Sequence, residues 1–170
     1  YTPIDGSAVT GDLHRFFAGD PSAGAYMSGF FPIMMFGLPA ACLAMYRRAQ
    51  VERKLAVGGV LLSMALTSFA TGVTEPIEFA FMFLAPALFG VHALLTGLSM
   101  VLMHELGIRL GFTFSAGFID YVLSAGKGEH AIWLLPVGVV TFLLYYVIFD
   151  QVIARFNLAT LGREVPLDGD

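Results

Sequence analysis

Four stretches of this chain run for roughly twenty residues with little or no charge, each about the length needed to span a bilayer core, and nothing else in the sequence restricts its fold so strongly. They are 26 to 46, 55 to 73, 77 to 103 and 131 to 149, and only the third contains an Asp, Glu, Lys or Arg, namely Glu78. With 57% hydrophobic and 13% charged residues, the chain falls well below the charged fraction, about 25%, of soluble domains. A soluble domain of this length leaves about a third of its surface in water, which these side chains cannot cover. Lipid is the better solvent, and the fold expected is all-α and polytopic, with transmembrane helices.

The formal net charge is −4 and the nine basic residues form no stripe, which excludes the electrostatic footprint of a nucleic-acid binder. The single Cys42 sits between Ala41 and Leu43 and reads as a small buried hydrophobe without a disulfide or redox role. None of His14, His92, His104 and His130 has a Cys or another His at ligand spacing, so no metal site is expected. No cofactor is called for either. The chain opens on Tyr1 without a basic stretch followed by an apolar core and a cleavage site, so no signal peptide is expected and the segment is expected to begin inside a longer protein.

Residues 1 to 25 are polar and rich in turn formers (Asp5-Gly6, Gly11-Asp12, Gly19-Asp20-Pro21), as expected of a segment outside the hydrocarbon. Arg47, Arg48, Arg53 and Lys54 crowd the loop after the first apolar run, and the positive-inside rule puts them in the cytoplasm. If every apolar run crossed once, Arg155 and Arg163 would end outside. If instead Leu55 to about Phe89 enters and returns as a re-entrant hairpin, and Gly90 to Leu106 crosses outward, the tail rejoins the basic loop inside. One unit over 1–156, with a cytoplasmic tail or linker over 157–170, is the expected division.

Thr74-Glu75-Pro76 interrupts the second apolar stretch, and a broken helix at membrane depth survives only where it is buried in protein or lines a cavity. An ionisable group there marks a substrate or ion pathway by default. The Glu75 carboxylate offers two acceptor oxygens to neighbouring hydroxyls of a sugar. It can also relay protons, or cap the helix that Pro76 opens. Glu78 falls on the same helical face and is expected to make a structural hydrogen bond. His92 is expected to bond a carbonyl of a neighbouring helix, and His104-Glu105 to mark the membrane boundary. The run Phe112 to Asp120 mixes aromatic, small and polar residues. Ser115 and Asp120 suit sugar hydroxyls there, and an interfacial aromatic belt accounts equally for the composition.

These residues resemble a known family. Gly19-Asp20-Pro21 with Ala23-Gly24, Met35-Phe36-Gly37-Leu38-Pro39-Ala40-Ala41, the block Thr71 to Phe79, Phe114 to Tyr121, and Asn157-Leu158 with Gly162-Arg163-Glu164 are similar to the membrane-spanning IIC component of bacterial phosphoenolpyruvate-dependent sugar phosphotransferase permeases, in the glucose and N-acetylglucosamine branch. The run Met27 to Phe36 looks more like the N-acetylglucosamine type. The resemblance implies the C-terminal half of a IIC unit in the bacterial inner membrane, homodimeric in the full-length protein. It implies a hairpin tip at Gly72-Val73-Thr74-Glu75, with Glu75 on the sugar hydroxyls. It also implies a partner IIB domain whose phosphocysteine, unmatched by Cys42, phosphorylates the sugar. The expected substrate-binding set is Glu75, Thr74, Gly72, Val73 and Glu78, with no catalytic residue in this segment. In the family an earlier hairpin supplies a histidine to the sugar site, and none of the four histidines here takes that part.

Overall fold

Three of the four apolar runs each become one long helical segment and the third, 77 to 103, divides into two helices, in a computed structural model that describes residues 8–164. A short helix α1 (Asp12–Phe17) lies in the polar N-terminal segment. Then α2 (Phe30–Pro32), a π-helical turn (Ile33–Gly37) and α3 (Leu38–Arg48) form one rod from Phe30 to Arg48. The wide turn lies just before Pro39, whose missing N–H would otherwise leave the Met35 carbonyl unpaired. After a 3₁₀ turn, α4 (Lys54–Thr71) is followed by α5 (Glu75–Met82), α6 (Pro86–Glu105), α7 (Phe118–Ser124) and α8 (Leu134–Phe156). Among the described residues the only β pairing is an isolated bridge between Arg109 and Glu129.

The rod Phe30–Arg48, the segment Val51–Thr71, α6 and the segment Ala131–Phe156 are each long and apolar enough to cross a membrane. At 1.5 Å per residue α6 is about 30 Å long, whereas α5, with 8 residues, reaches only about 12 Å. Large side chains stand outward on the long helices: Leu55 is 96% exposed, Leu62 61%, Leu94 66% and Leu143 56%. Water would oppose that display, and lipid or neighbouring helices do not. The chain is an all-α polytopic membrane protein.

Small residues bring the helices together, as is usual in membranes. Leu38, Ala40, Ala41, Ala44 and Met45 of α3 are buried with Tyr145, Phe149 and Ile153 of α8 and with Ile77 and Phe81 of α5. The Tyr145 ring lies against Gly37, where an added Cβ would come within 2.9 Å of it, and Phe36 fills the corresponding notch at Gly138.

Polar contacts mark the two ends. At one, Arg48 donates from Nε to Asp150 Oδ1 and from Nη2 to Asp150 Oδ2, each at 2.7 Å. Arg53 pairs with Glu164 at 3.2 Å, the Gln50 amide donates to the Gly162 carbonyl at 3.0 Å, and Arg163 donates to the Arg48 carbonyl at 3.1 Å. Residues 157 to 164 therefore fold back on the basic α3–α4 loop. At the other end Arg109, beyond α6, donates to the Ser22 carbonyl at 2.8 Å and closes the N-terminal segment over the α6–α7 connection. The Asp5-Gly6 turn and residues 165–170 of the expected tail lie outside the described residues.

Two expectations are corrected. The segment 1 to 25 is not wholly loop, because Asp12–Phe17 is helical and the Asp12 carboxylate accepts from the amides of Gly24 (2.8 Å) and Tyr26 (3.1 Å). The second break after α4 falls at Phe83–Ala85, and not near Phe89 and Gly90. Pro86 in the first turn starts α6, while Gly90 lies inside that helix and is tolerated there.

Candidate functional site

The α4–α5 connection is three residues, Gly72, Val73 and Thr74, and its shape follows from Gly72. Gly72 ends α4 in the left-handed region at φ 74°, the conformation a glycine C-cap adopts without steric cost. Pro76 then falls in the first turn of α5, where its missing N–H costs nothing.

A second loop is pressed against this turn. A Cβ on Gly72 would approach the Ala116 backbone to 2.7 Å, and one on Gly117 would meet the Gly72 nitrogen and the Thr71 backbone closer still. The Ser115 hydroxyl donates to the Gly72 carbonyl at 2.7 Å. Asp120, 5% exposed, holds that loop: it accepts from the Thr113 amide and hydroxyl at 2.9 Å each and from the Ser115 amide at 3.2 Å. Ser115 and Asp120 are thus engaged in holding backbone, and not free for sugar hydroxyls, while Phe114 and Phe118 stand exposed.

Glu75 is the first residue of α5 and is exposed. Among the described residues no side chain or amide bonds its carboxylate, and α5 carries no side-chain cap. Glu75 stands in the first turn of α5, where an acidic group complements the helix dipole as the capping reading expects, and both its oxygens remain open to a ligand. Glu78, one turn along, does make the structural hydrogen bond expected of it. Its Oε1 accepts from the Thr74 hydroxyl at 3.2 Å and lies 3.2 Å from His92 Nε2. The opposite ring nitrogen of His92, Nδ1, lies 2.8 Å from the Tyr145 hydroxyl. The His92 ring therefore bonds two side chains, in place of the helix carbonyl expected for it, because Tyr145 and Glu78 supply partners at both nitrogens. Val73 is half-buried and Thr74 is 4% exposed.

The structure thus brings Gly72, Val73, Thr74, Glu75 and Glu78 to one turn, and adds Ser115, His92 and Tyr145 to its surroundings. Nothing in the sequence pairs Tyr145 with His92: the run Phe142 to Phe149 holds two tyrosines, Tyr145 and Tyr146, and neither apolar run shows which of its faces meets the other. His104 and Glu105 are the last two residues of α6, and His130 lies 3.3 Å from the Gly107 carbonyl. Such a site offers carboxylate acceptors at a rigid, glycine-shaped turn, a chemistry suited to ligands rich in hydroxyl donors.

Comparison with known proteins gives this geometry a context. Residues 1–97 match the family described as "Phosphotransferase system, EIIC". The chain is 59% identical over 158 residues to the PTS system N-acetylglucosamine-specific EIICB component of Bacillus subtilis, covering 93% of this chain and 35% of that protein. It is 56% identical over 167 residues to the N-acetylglucosamine-specific EIICBA component of Escherichia coli, with 96% and 26% covered. It is 55% identical over 164 residues to the N-acetylglucosamine-specific EIIC component of Streptomyces coelicolor, with 96% and 39% covered. The chain spans between 26% and 39% of the length of these relatives. With a family match over more than half its residues and helices fit to cross a membrane, the chain belongs to the EIIC family of the phosphotransferase system.

Proposed function

We propose that this chain is the part of a bacterial inner-membrane permease that holds a sugar, N-acetylglucosamine in preference to glucose, while it is carried inward and phosphorylated by a partner IIB domain. One observation carries the reading: the unbonded Glu75 carboxylate stands at a helix break whose backbone is locked by Ser115, Ala116 and Gly117. Relatives named as N-acetylglucosamine-specific support the choice of sugar, and their EIICB and EIICBA names support the partner.

On this reading α4 and α5 form a re-entrant hairpin with Gly72, Val73 and Thr74 at its tip. Glu75 accepts from neighbouring sugar hydroxyls, Thr74 and Gly72 set the tip's shape, Val73 lines it and Glu78 steadies it. A hydroxyl of the sugar attacks the phosphorus of the partner's phosphocysteine in line, the O–P bond forms as the P–S bond breaks, and the departing cysteine thiolate takes up the hydroxyl proton. This segment contributes positioning, with Glu75 orienting the attacking hydroxyl. Residues 1–156 make up the translocation unit and 157–170 the tail leading toward the partner, in a full-length protein that is a homodimer in the lipid bilayer.

The test is uptake of N-acetylglucosamine into vesicles bearing the full-length protein, with and without phosphoenolpyruvate. Uptake is expected to require phosphoenolpyruvate and to release phosphorylated sugar inside. Glu75→Gln should weaken sugar affinity by about 10- to 100-fold, the loss of a charge-assisted bond of about 1.5–3 kcal/mol. Uptake that follows a proton gradient without phosphoenolpyruvate, or a Glu75→Gln protein with unchanged affinity, would refute the reading.

A further inference from the structure

Thr74, immediately before Glu75, is tied through Glu78 and His92 to Tyr145 of α8. We propose that Tyr145, His92 and Glu78 are positioning residues that set the attitude of the Glu75 turn, so that they govern sugar affinity without touching sugar. The proposal rests on the reading of Glu75 as the sugar acceptor.

The hydrogen bonds form one continuous chain. An ionised Glu78 only accepts, so His92 Nε2 donates to its Oε1 at 3.2 Å, while Nδ1 of the same ring lies 2.8 Å from the Tyr145 hydroxyl. Thr74 donates to Glu78 Oε1 as well. The anchor is firm: the Tyr145 ring is pinned against Gly37 and stacked on Phe149 at 5.4 Å, joining the relay to the α3–α8 core. Phe81 meets the His92 ring edge-on at 5.8 Å. Tyr145, His92 and Thr74 are all buried, so a released partner would not be replaced by bulk water.

The other end needs such an anchor. Helix α5 is 8 residues long, lacks a side-chain cap and buries only Ile77 and Phe81. A binding carboxylate must be held to within about 0.5 Å of its productive position by side chains that are themselves locked. The relay supplies a second point of attachment on the helix face next to Glu75, and it connects α5, α6 and α8.

The experiment measures phosphoenolpyruvate-driven N-acetylglucosamine uptake by the full-length protein in vesicles, normalised to folded protein. His92→Ala should raise KM about tenfold and change the maximal rate by less than about twofold. His92→Gln, which keeps a donor and an acceptor, should recover at least half of the loss. Adding Tyr145→Phe to His92→Ala should have no further effect, because the two belong to one chain of bonds. An unchanged KM with less folded protein or a lower maximal rate would show a structural role only and overturn the proposal. Should His92→Ala not fold, Tyr145→Phe, which deletes one hydroxyl, should raise KM about threefold, and an unchanged KM would overturn it equally. Glu75→Gln separates the two ideas. If it lowers affinity while the relay variants do not, the relay alone is wrong. If it has no effect, both are.

Discussion

At the scale of single residues, the carboxylates of this chain divide by what has been done with their oxygens. Asp20 accepts the Ser22 amide at 2.9 Å and hydroxyl at 2.7 Å, and Arg15 lies 2.7 Å away. The Ser22 bonds come first and the Arg15 charge adds to them, so the carboxyl is held down at about 2 from its ordinary 3.8. A depressed carboxyl stabilises the fold wherever it is ionised. Its contribution is full above about pH 4 and is lost as the pH falls toward about 2. Amides of Ser22 to Tyr26 should therefore exchange faster with solvent hydrogen over that interval, and Asp20→Asn should remove the pH dependence. Asp150 is consumed by Arg48. Asp150→Asn leaves the guanidinium with a weaker partner and should cost about 1.5–3 kcal/mol, read as a lower Tm in detergent. Glu75 accepts no hydrogen bond among the described residues, as is also true of Glu52, Glu105 and Glu129, and what sets it apart is its place, between Thr74 and Pro76 at a break between two apolar helices. The partners of His92 were not legible, because Tyr145 lies 53 positions away and nothing in either apolar run fixes which faces meet.

At the scale of elements, helix ends were readable and helix pairings were not. Thr74-Glu75-Pro76 marks the first break, and Pro86 opens the helix after the second, a few residues before the Phe89–Gly90 boundary the sequence predicts. The glycines differ sharply in what they tolerate. Gly72→Ala would force an L side chain to φ 74° and press a Cβ to 2.7 Å from Ala116, so it should lower stability by at least about 1–2 kcal/mol. Gly59→Ala, in the interior of α4 with nothing within 4 Å of a Cβ, should instead be neutral or stabilising by up to about 1 kcal/mol. Thermal melts of both variants in detergent check the contrast. The contact between Gly72 and Gly117 lay beyond sequence reasoning, since two glycines 45 positions apart carry no side-chain pattern to pair them.

At the scale of the whole molecule, charge foretold which ends come together. The basic α3–α4 loop and the tail were expected on one side, and residues 157 to 164 do rest on that loop through Arg53, Arg163 and Gln50. Cutting the Arg163 bonds with Arg163→Ala should expose residues 157 to 164 to added protease without lowering the Tm of the helical body by more than about 1 kcal/mol in equivalent stability. The backbone contact of Gly72 with Ala116 and Gly117 bears on how such a body changes shape. Two main chains touching without intervening side chains have no slack to take up, so neither can glide over the other. Any displacement of the α4 tip is a displacement of the loop before α7, and it is passed on to α6 through the link Phe83–Ala85, whose Ala85 amide is tied to the Phe81 carbonyl at 2.7 Å.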